Sequence, residues 1–177
     1  MAPRMGELSP NIAGLIIMAG ATRPLEDLVL EQLTYIFLLG GKLTDEQKTE
    51  LEKIKKQVTK VKDPKLDKDT PGSELPLGAP ASYWLALRDY RPADVAAKLS
   101  LPMLILQGER DYQVTMEDFA GFKKMLANRE TASLKSYPKL NHLFMEGVGK
   151  SKPEEYLQAG HVAKEVIDEI SAWITKH

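Results

Sequence analysis

Three apolar runs and the helical spacings between them set out the chain. Ile12-Ala-Gly-Leu-Ile-Ile-Met-Ala-Gly20 is continuous and bounded by the turn Ser9-Pro-Asn and by Ala21-Thr-Arg-Pro. Such a run reads as a strand covered on both faces, as in a parallel sheet, with a short buried helix as the alternative. Pro102 to Gln107 is a second run of this kind. Ala132 to Tyr137 is a third, with the partial alternation of a strand nearer an edge.

Between the first two runs the period changes. Leu25, Leu28, Val29, Ile36 and Leu39 follow helical spacing and stop at Gly40-Gly41. Thr44-Asp-Glu-Gln47 has the form of a capping box, in which Thr caps an amide three residues on and Gln reaches back. Behind it Leu51, Ile54, Val58 and Val61 make one narrow stripe on a helix otherwise built of Lys, Glu and Gln, which predicts a surface helix. A basic binding helix is the competing interpretation, but Glu46, Glu50 and Glu52 interleave with the lysines and favour a solvated face. Residues 62–82, rich in Pro and Gly, read as an irregular loop. Short helices follow at Ala81 to Leu87, presenting Tyr83 and Trp84, and at Pro92 to Leu99. Residues 22–99 thus read as a helical insertion between two strands of a single domain, residues 1–177.

After the second strand, Thr115 opens a helix running to about Ala127, with Phe119, Phe122, Met125 and Leu126 expected inward. His161 to Thr175 is a closing amphipathic helix with Val162, Val166, Ile170, Trp173 and Ile174 on its buried side. Near the N-terminus, Pro3 suits the first turn of a helix. Strands alternating with helices predict an α/β fold with a parallel sheet, whose ligands bind beyond the carboxyl ends of the strands. The second strand breaks at Gly108 into a polar turn ending at Asp111, and the third leads to Lys139-Leu-Asn-His142.

Composition narrows the chemistry. Of 177 residues, 24 are Lys or Arg and 25 Asp or Glu, a net charge of −1 that gives no reason to expect nucleic acid or a membrane as partner. With no cysteine, disulfides, thiolate metal sites and a cysteine nucleophile are excluded. His142, His161 and His177 lack metal-site spacing, so neither metal nor cofactor is expected. An acid and a histidine at one sheet edge are two thirds of a hydrolase triad: the carboxylate accepts one imidazole proton and leaves the other nitrogen to act as base. Placement alone leaves open a turn-capping Asp and an ordinary loop His. Trp84, Tyr83 and Tyr90 either line an acyl pocket or anchor the insertion.

Leu-Pro-Met-Leu-Ile-Leu-Gln-Gly-Glu-Arg-Asp-Tyr-Gln-Val, residues 101–114, resembles the acid-bearing strand and turn of the α/β-hydrolase superfamily. Tyr-Pro-Lys-Leu-Asn-His-Leu-Phe, residues 137–144, resembles its histidine loop, and the last helix, with Ala-Trp-Ile, is similar too. Ile12 to Gly20 with Ala-Thr-Arg-Pro-Leu-Glu-Asp after it, and Pro80-Ala-Ser-Tyr-Trp-Leu-Ala-Leu-Arg-Asp-Tyr, resemble bacterial serine esterases of the dienelactone-hydrolase and serine-aminopeptidase-like branches. This resemblance implies a triad acid at Asp111, a base at His142, a helical lid at residues 22–99 and a small-molecule acyl ester as substrate. It does not separate esterase from thioesterase, lactonase or peptidase.

The departure from the family is a missing nucleophile elbow, since no Gly-x-Ser-x-Gly occurs in the chain. In the family, a sequence like Ala2-Pro-Arg follows the elbow by a few residues. The resemblance therefore implies a C-terminal part, about three strands of the sheet, starting just after the nucleophile and without the oxyanion-hole amides. Ser82 reads as a helix cap. Ser151 ends Gly147-Val-Gly-Lys-Ser, but a phosphate loop would need glycine where Phe144 stands. The chain alone is then expected to be inactive. The alternative function is a non-catalytic assembly module, which dimerises or complements an N-terminal half through its exposed sheet edge. The N-terminal residues hold no signal-peptide core, and the lack of cysteine fits a cytoplasmic location, although a leader ahead of a truncated start would leave no trace here.

Overall fold

A computed structural model describes residues 1–177, which divide into two compact units: Met1–Thr22 with Arg91–His177, and Arg23–Tyr90.

The first unit is built on a parallel three-stranded sheet, β1 (Leu15–Met18), β2 (Met103–Gly108) and β3 (Ala132–Tyr137), in the order β1-β2-β3. Leu15 pairs with Met103 and Met103 with Ala132, so the carboxyl ends of β2 and β3 lie side by side at Gly108 and Tyr137. All of β2 is buried because it is central and both its faces are covered. Met103 and Ile105 pack on one face with Leu15, Ile17, Phe119, Phe122 and Leu126. Leu104 and Leu106 pack on the other with Tyr137, Leu140, Phe144, Val166 and Trp173. Successive strand residues point to opposite faces, which is why the continuous apolar run is required.

The helices of this unit are α1 (Ala2–Leu8), α5 (Pro92–Lys98), α6 (Met116–Met125) and α7 (Lys164–Lys176). The helical unit holds α2 (Leu25–Leu38), α3 (Asp45–Lys62) and α4 (Ala81–Leu87). The first apolar run gives a shorter strand than its length predicts: β1 stops at Met18, and Ala19 adopts φ 48°. Three residues expected inward are exposed instead. Met125, on the last turn of α6, is exposed beside buried Phe122 and Leu126, and Ile174 is exposed beside buried Trp173. Val162 lies outside α7, which starts at Lys164 rather than His161, and is also exposed.

In the helical unit the capping box forms as expected. Gln47 N–H donates to Thr44 Oγ1 at 3.2 Å, and Thr44 N–H donates to Gln47 Oε1 at 3.0 Å. Leu51, Ile54, Val58 and Val61 are all buried, so the narrow stripe on α3 is its packed face. Val61 joins Leu66, Leu75, Ala81 and Trp84 in this unit's core. Arg88 closes the other end of α3 by donating to the carbonyls of Val61 (3.1 Å) and Asp63 (2.8 Å), groups a helix end otherwise leaves unpaired. No helix of the protein is long and apolar enough to cross a membrane.

Candidate active site

The turn after β2 and the loop after β3 meet because Gly108 has no side chain. A Cβ at that position would lie 2.5 Å from the carbonyl oxygens of both Leu140 and Asn141. The close approach is tied by two backbone bonds, Glu109 N–H to the Tyr137 carbonyl (3.0 Å) and Arg110 N–H to the Leu140 carbonyl (3.0 Å). Asp111 and His142 are thereby set opposite each other, with His142 Nδ1 2.7 Å from Asp111 Oδ2.

Asp111 is buried, and its carboxylate is saturated with donors. Oδ1 accepts from the backbone N–H of Gln113 (2.7 Å) and of Val114 (3.1 Å). Oδ2 accepts from Gln107 Nε2 at 3.3 Å as well as facing the imidazole. Every partner is a donor, so the cost of burying the carboxylate is offset by hydrogen bonds. The Gln107 amide is itself held by the carbonyls of Gly108 (3.0 Å) and Val114 (2.8 Å). With Asp111 on Nδ1, the proton of the neutral ring belongs on that nitrogen, and Nε2 is left as the basic atom. The His142 side chain is 28% exposed and the Asp111 side chain 0%, so the pair has a wet end at the imidazole and a dry end at the carboxylate.

The histidine loop has its own frame. Asn141 is fully buried, and its Oδ1 accepts from the N–H groups of Leu143 (3.0 Å) and Met145 (3.1 Å). Phe144 takes φ 57°, a left-handed turn that costs a non-glycine residue energy. It is buried against Tyr137 at 6.2 Å between ring centroids, with the rings near perpendicular. A 3-10 turn, Pro153–Leu157, then brings Glu155 and Tyr156 alongside.

Of the other sequence candidates, Trp84 is 1% exposed within the core of the helical unit, whereas Tyr83 is 45% exposed. Trp84 fills core volume; of the two rings, only Tyr83 offers surface to a ligand. Ser151 is buried and its Oγ donates to the Arg110 carbonyl, so it is a brace of the acid turn. Ser82 lies on the first turn of α4 and forms no nucleophile elbow. Sequence reasoning passed over Gln107, Arg110 and Glu155. Gln107 immediately precedes Gly108 and Arg110 lies two residues after it, so both carried a positional signal, whereas Glu155 stands in a later loop with no local pattern.

No protein-family model matches the chain. It is 41% identical over 176 residues to Esterase EstD of Thermotoga maritima, a match that takes in 96% of the chain. The chain spans 40% of the length of that esterase. Among solved structures, a Klebsiella pneumoniae protein assigned as a dienelactone hydrolase aligns with a TM-score of 0.38 and 23% identity, over 57% of this chain and 36% of that one.

Proposed function

We propose that the chain belongs to the α/β-hydrolase esterases and is part of a serine hydrolase cleaving carboxylic esters or related acyl bonds, with its nucleophile on a segment outside these 177 residues, a reading supported by the 41% identity to an esterase. The observation that carries this reading is the 2.7 Å pairing of His142 Nδ1 with buried Asp111 at the carboxyl edge of a parallel sheet. In this scheme His142 Nε2 takes the serine hydroxyl proton as the oxygen attacks the acyl carbon. The imidazolium that forms is stabilised by Asp111. His142 then gives that proton to the leaving oxygen as the acyl–oxygen bond breaks, leaving an acyl-serine. Water repeats the steps: it loses a proton to His142 as it attacks, and the serine oxygen recovers that proton on leaving. The substrate is a small-molecule acyl ester; of the expected lid, residues 22–99, α5 belongs to the sheet unit, so the lid is the helical unit Arg23–Tyr90, and Tyr83 is its pocket candidate with surface to contribute.

Activity towards p-nitrophenyl acetate tests this. A protein extended to include a Gly-x-Ser-x-Gly segment should turn over, the 177-residue chain should not, and His142→Ala should silence the extended protein. Robust turnover by residues 1–177 alone would sink the external nucleophile, and an active His142→Ala would remove the assigned base.

A second reading, that the chain is an assembly module, is favoured by β1. It is hydrogen-bonded to β2 on one side and forms an edge of a parallel sheet, while Met1 just before α1, Met5 and Leu8 within that helix, and Met18 of β1 are exposed. Unpaired edges beside apolar surface recruit a further strand. The expected result in light scattering is a homodimer, or a one-to-one complex with an added N-terminal half. A monomer at high concentration that binds no such half argues against it.

A further inference from the structure

Glu155 touches neither member of the acid–base pair, yet it holds both segments that carry them. Its Oε1 accepts from Arg110 Nη2 at 2.7 Å and from Lys152 N–H at 3.3 Å, and its Oε2 accepts from Asn141 Nδ2 at 3.2 Å. Arg110 immediately precedes Asp111, and Asn141 immediately precedes His142. One carboxylate therefore bridges the residue before the acid to the residue before the base.

The surroundings leave this bridge little freedom. The Arg110 side chain is 6% exposed, and its Nε donates to the Gly149 carbonyl at 2.6 Å. The guanidinium lies across Gly147, where any Cβ would collide with Nη1, so glycine there makes room for it. Asn141 cannot turn its amide over, because Oδ1 is committed to two backbone donors and Nδ2 must find an acceptor. Only an acceptor on both arms can serve Arg110 and Asn141 together. Two further contacts press the same segment against the acid turn: Ser151 Oγ on the Arg110 carbonyl, and the Tyr156 ring 6.0 Å from that of Tyr112, the residue after Asp111.

We infer that Glu155 is a positioning residue for the Asp111–His142 pair, locking the acid turn to the histidine loop through Arg110 and Asn141. The inference rests on the hydrolase reading above for its effect on turnover. Breaking one arm lets the loop shift relative to the turn, and misplacement on the ångström scale is costly to proton transfer while ground-state substrate affinity changes little.

The test uses the full-length hydrolase carrying the nucleophile. Glu155→Gln keeps an acceptor for Arg110 but points an amide at the Asn141 amide, and should lower kcat by about 10- to 100-fold with KM within about twofold. Asn141→Asp sets carboxylate against carboxylate and should lower kcat similarly. The double variant Asn141→Asp/Glu155→Gln restores a donor–acceptor match on every arm and keeps the net charge. It should recover kcat to within about threefold of the parent, together with the low-field Nδ1 proton resonance of His142 that each single variant weakens. A double variant as poor as the product of its singles overturns the clamp, as does Glu155→Gln with full kcat and an unchanged resonance. Thermal melting separates these results from misfolding, since the rescued double variant must also melt near the parent. His142→Ala is run in parallel: if it stays active the hydrolase reading fails, whereas an inactive His142→Ala beside a fully active Glu155→Gln sinks the clamp alone.

Discussion

Charged side chains in the turns after β2 and β3 and those along α3 form two populations. At the turns, Asp111 and Arg110 are buried and Glu155 is partly so, and each carboxylate oxygen and guanidinium arm has an assigned partner. On α3 the pairs Lys48–Asp45, Lys53–Glu50 and Lys55–Glu52 sit one helical turn apart with both partners exposed. The same residue types thus do opposite things. Buried charges must be matched group by group, so they hold geometry, and removing one strands another. Exposed pairs trade places with water and contribute little beyond solubility. A site that needs an acid and a base at fixed separation has to draw on the first population.

Asp111 gives the largest contrast. In the hydrolase proposed above, Asp111→Asn puts an amide where His142 Nδ1 needs an acceptor and favours the wrong tautomer. kcat should fall by about 10³- to 10⁴-fold, the order found when triad acids are made neutral. A loss below tenfold would mean that the 2.7 Å contact does not govern the base, and the division between the two populations would lose its functional half.

Arg110 tests the same division through stability. Arg110→Ala takes from the partly exposed Glu155 carboxylate its charged partner and from the Gly149 carbonyl its donor, and the loss of these charge-assisted hydrogen bonds should cost about 1.5–3 kcal/mol. Urea unfolding followed by the fluorescence of Trp173, which is buried in the same unit, should show that loss. A cost below about 1 kcal/mol would place Arg110 with the surface pairs.

Which of these features could be read in the sequence follows from how local their causes are. Strands β2 and β3, the capping box and the buried stripe of α3 depend on neighbours within a few residues, so runs, periods and turn residues reveal them. The meeting of Asp111 and His142 was legible because parallel topology carries successive strand ends to one edge. The contact from Arg110 to Glu155 spans 45 residues and passes through a loop with no period, so no local pattern announces it. Trp84 shows the opposite difficulty. An aromatic on a short helix reads equally as pocket wall or core, and only its burial among Val61, Leu66, Leu75 and Ala81 identifies it as core. Ile174 and Met125 were misplaced for a related reason, since apolar character on the flank of a stripe does not ensure cover from the opposing element.

The smallest effects come from α3, and their order sharpens the comparison. Thr44→Ala removes the acceptor for Gln47 N–H and should cost about 1 kcal/mol, because a helix N-terminus loses one of its few satisfied amides. Lys55→Ala deletes an exposed ion pair with Glu52 and should shift stability less than the cap does, and less still in high salt. Both are read as shifts in the urea midpoint. The cap should outweigh the ion pair because it satisfies a backbone group that has no other partner in the helix, whereas Glu52 simply returns to water. If Lys55→Ala proved costlier than Thr44→Ala, the charges along α3 would be holding structure, and the boundary drawn between matched and solvated charge would have to move outward to the surface of that helix.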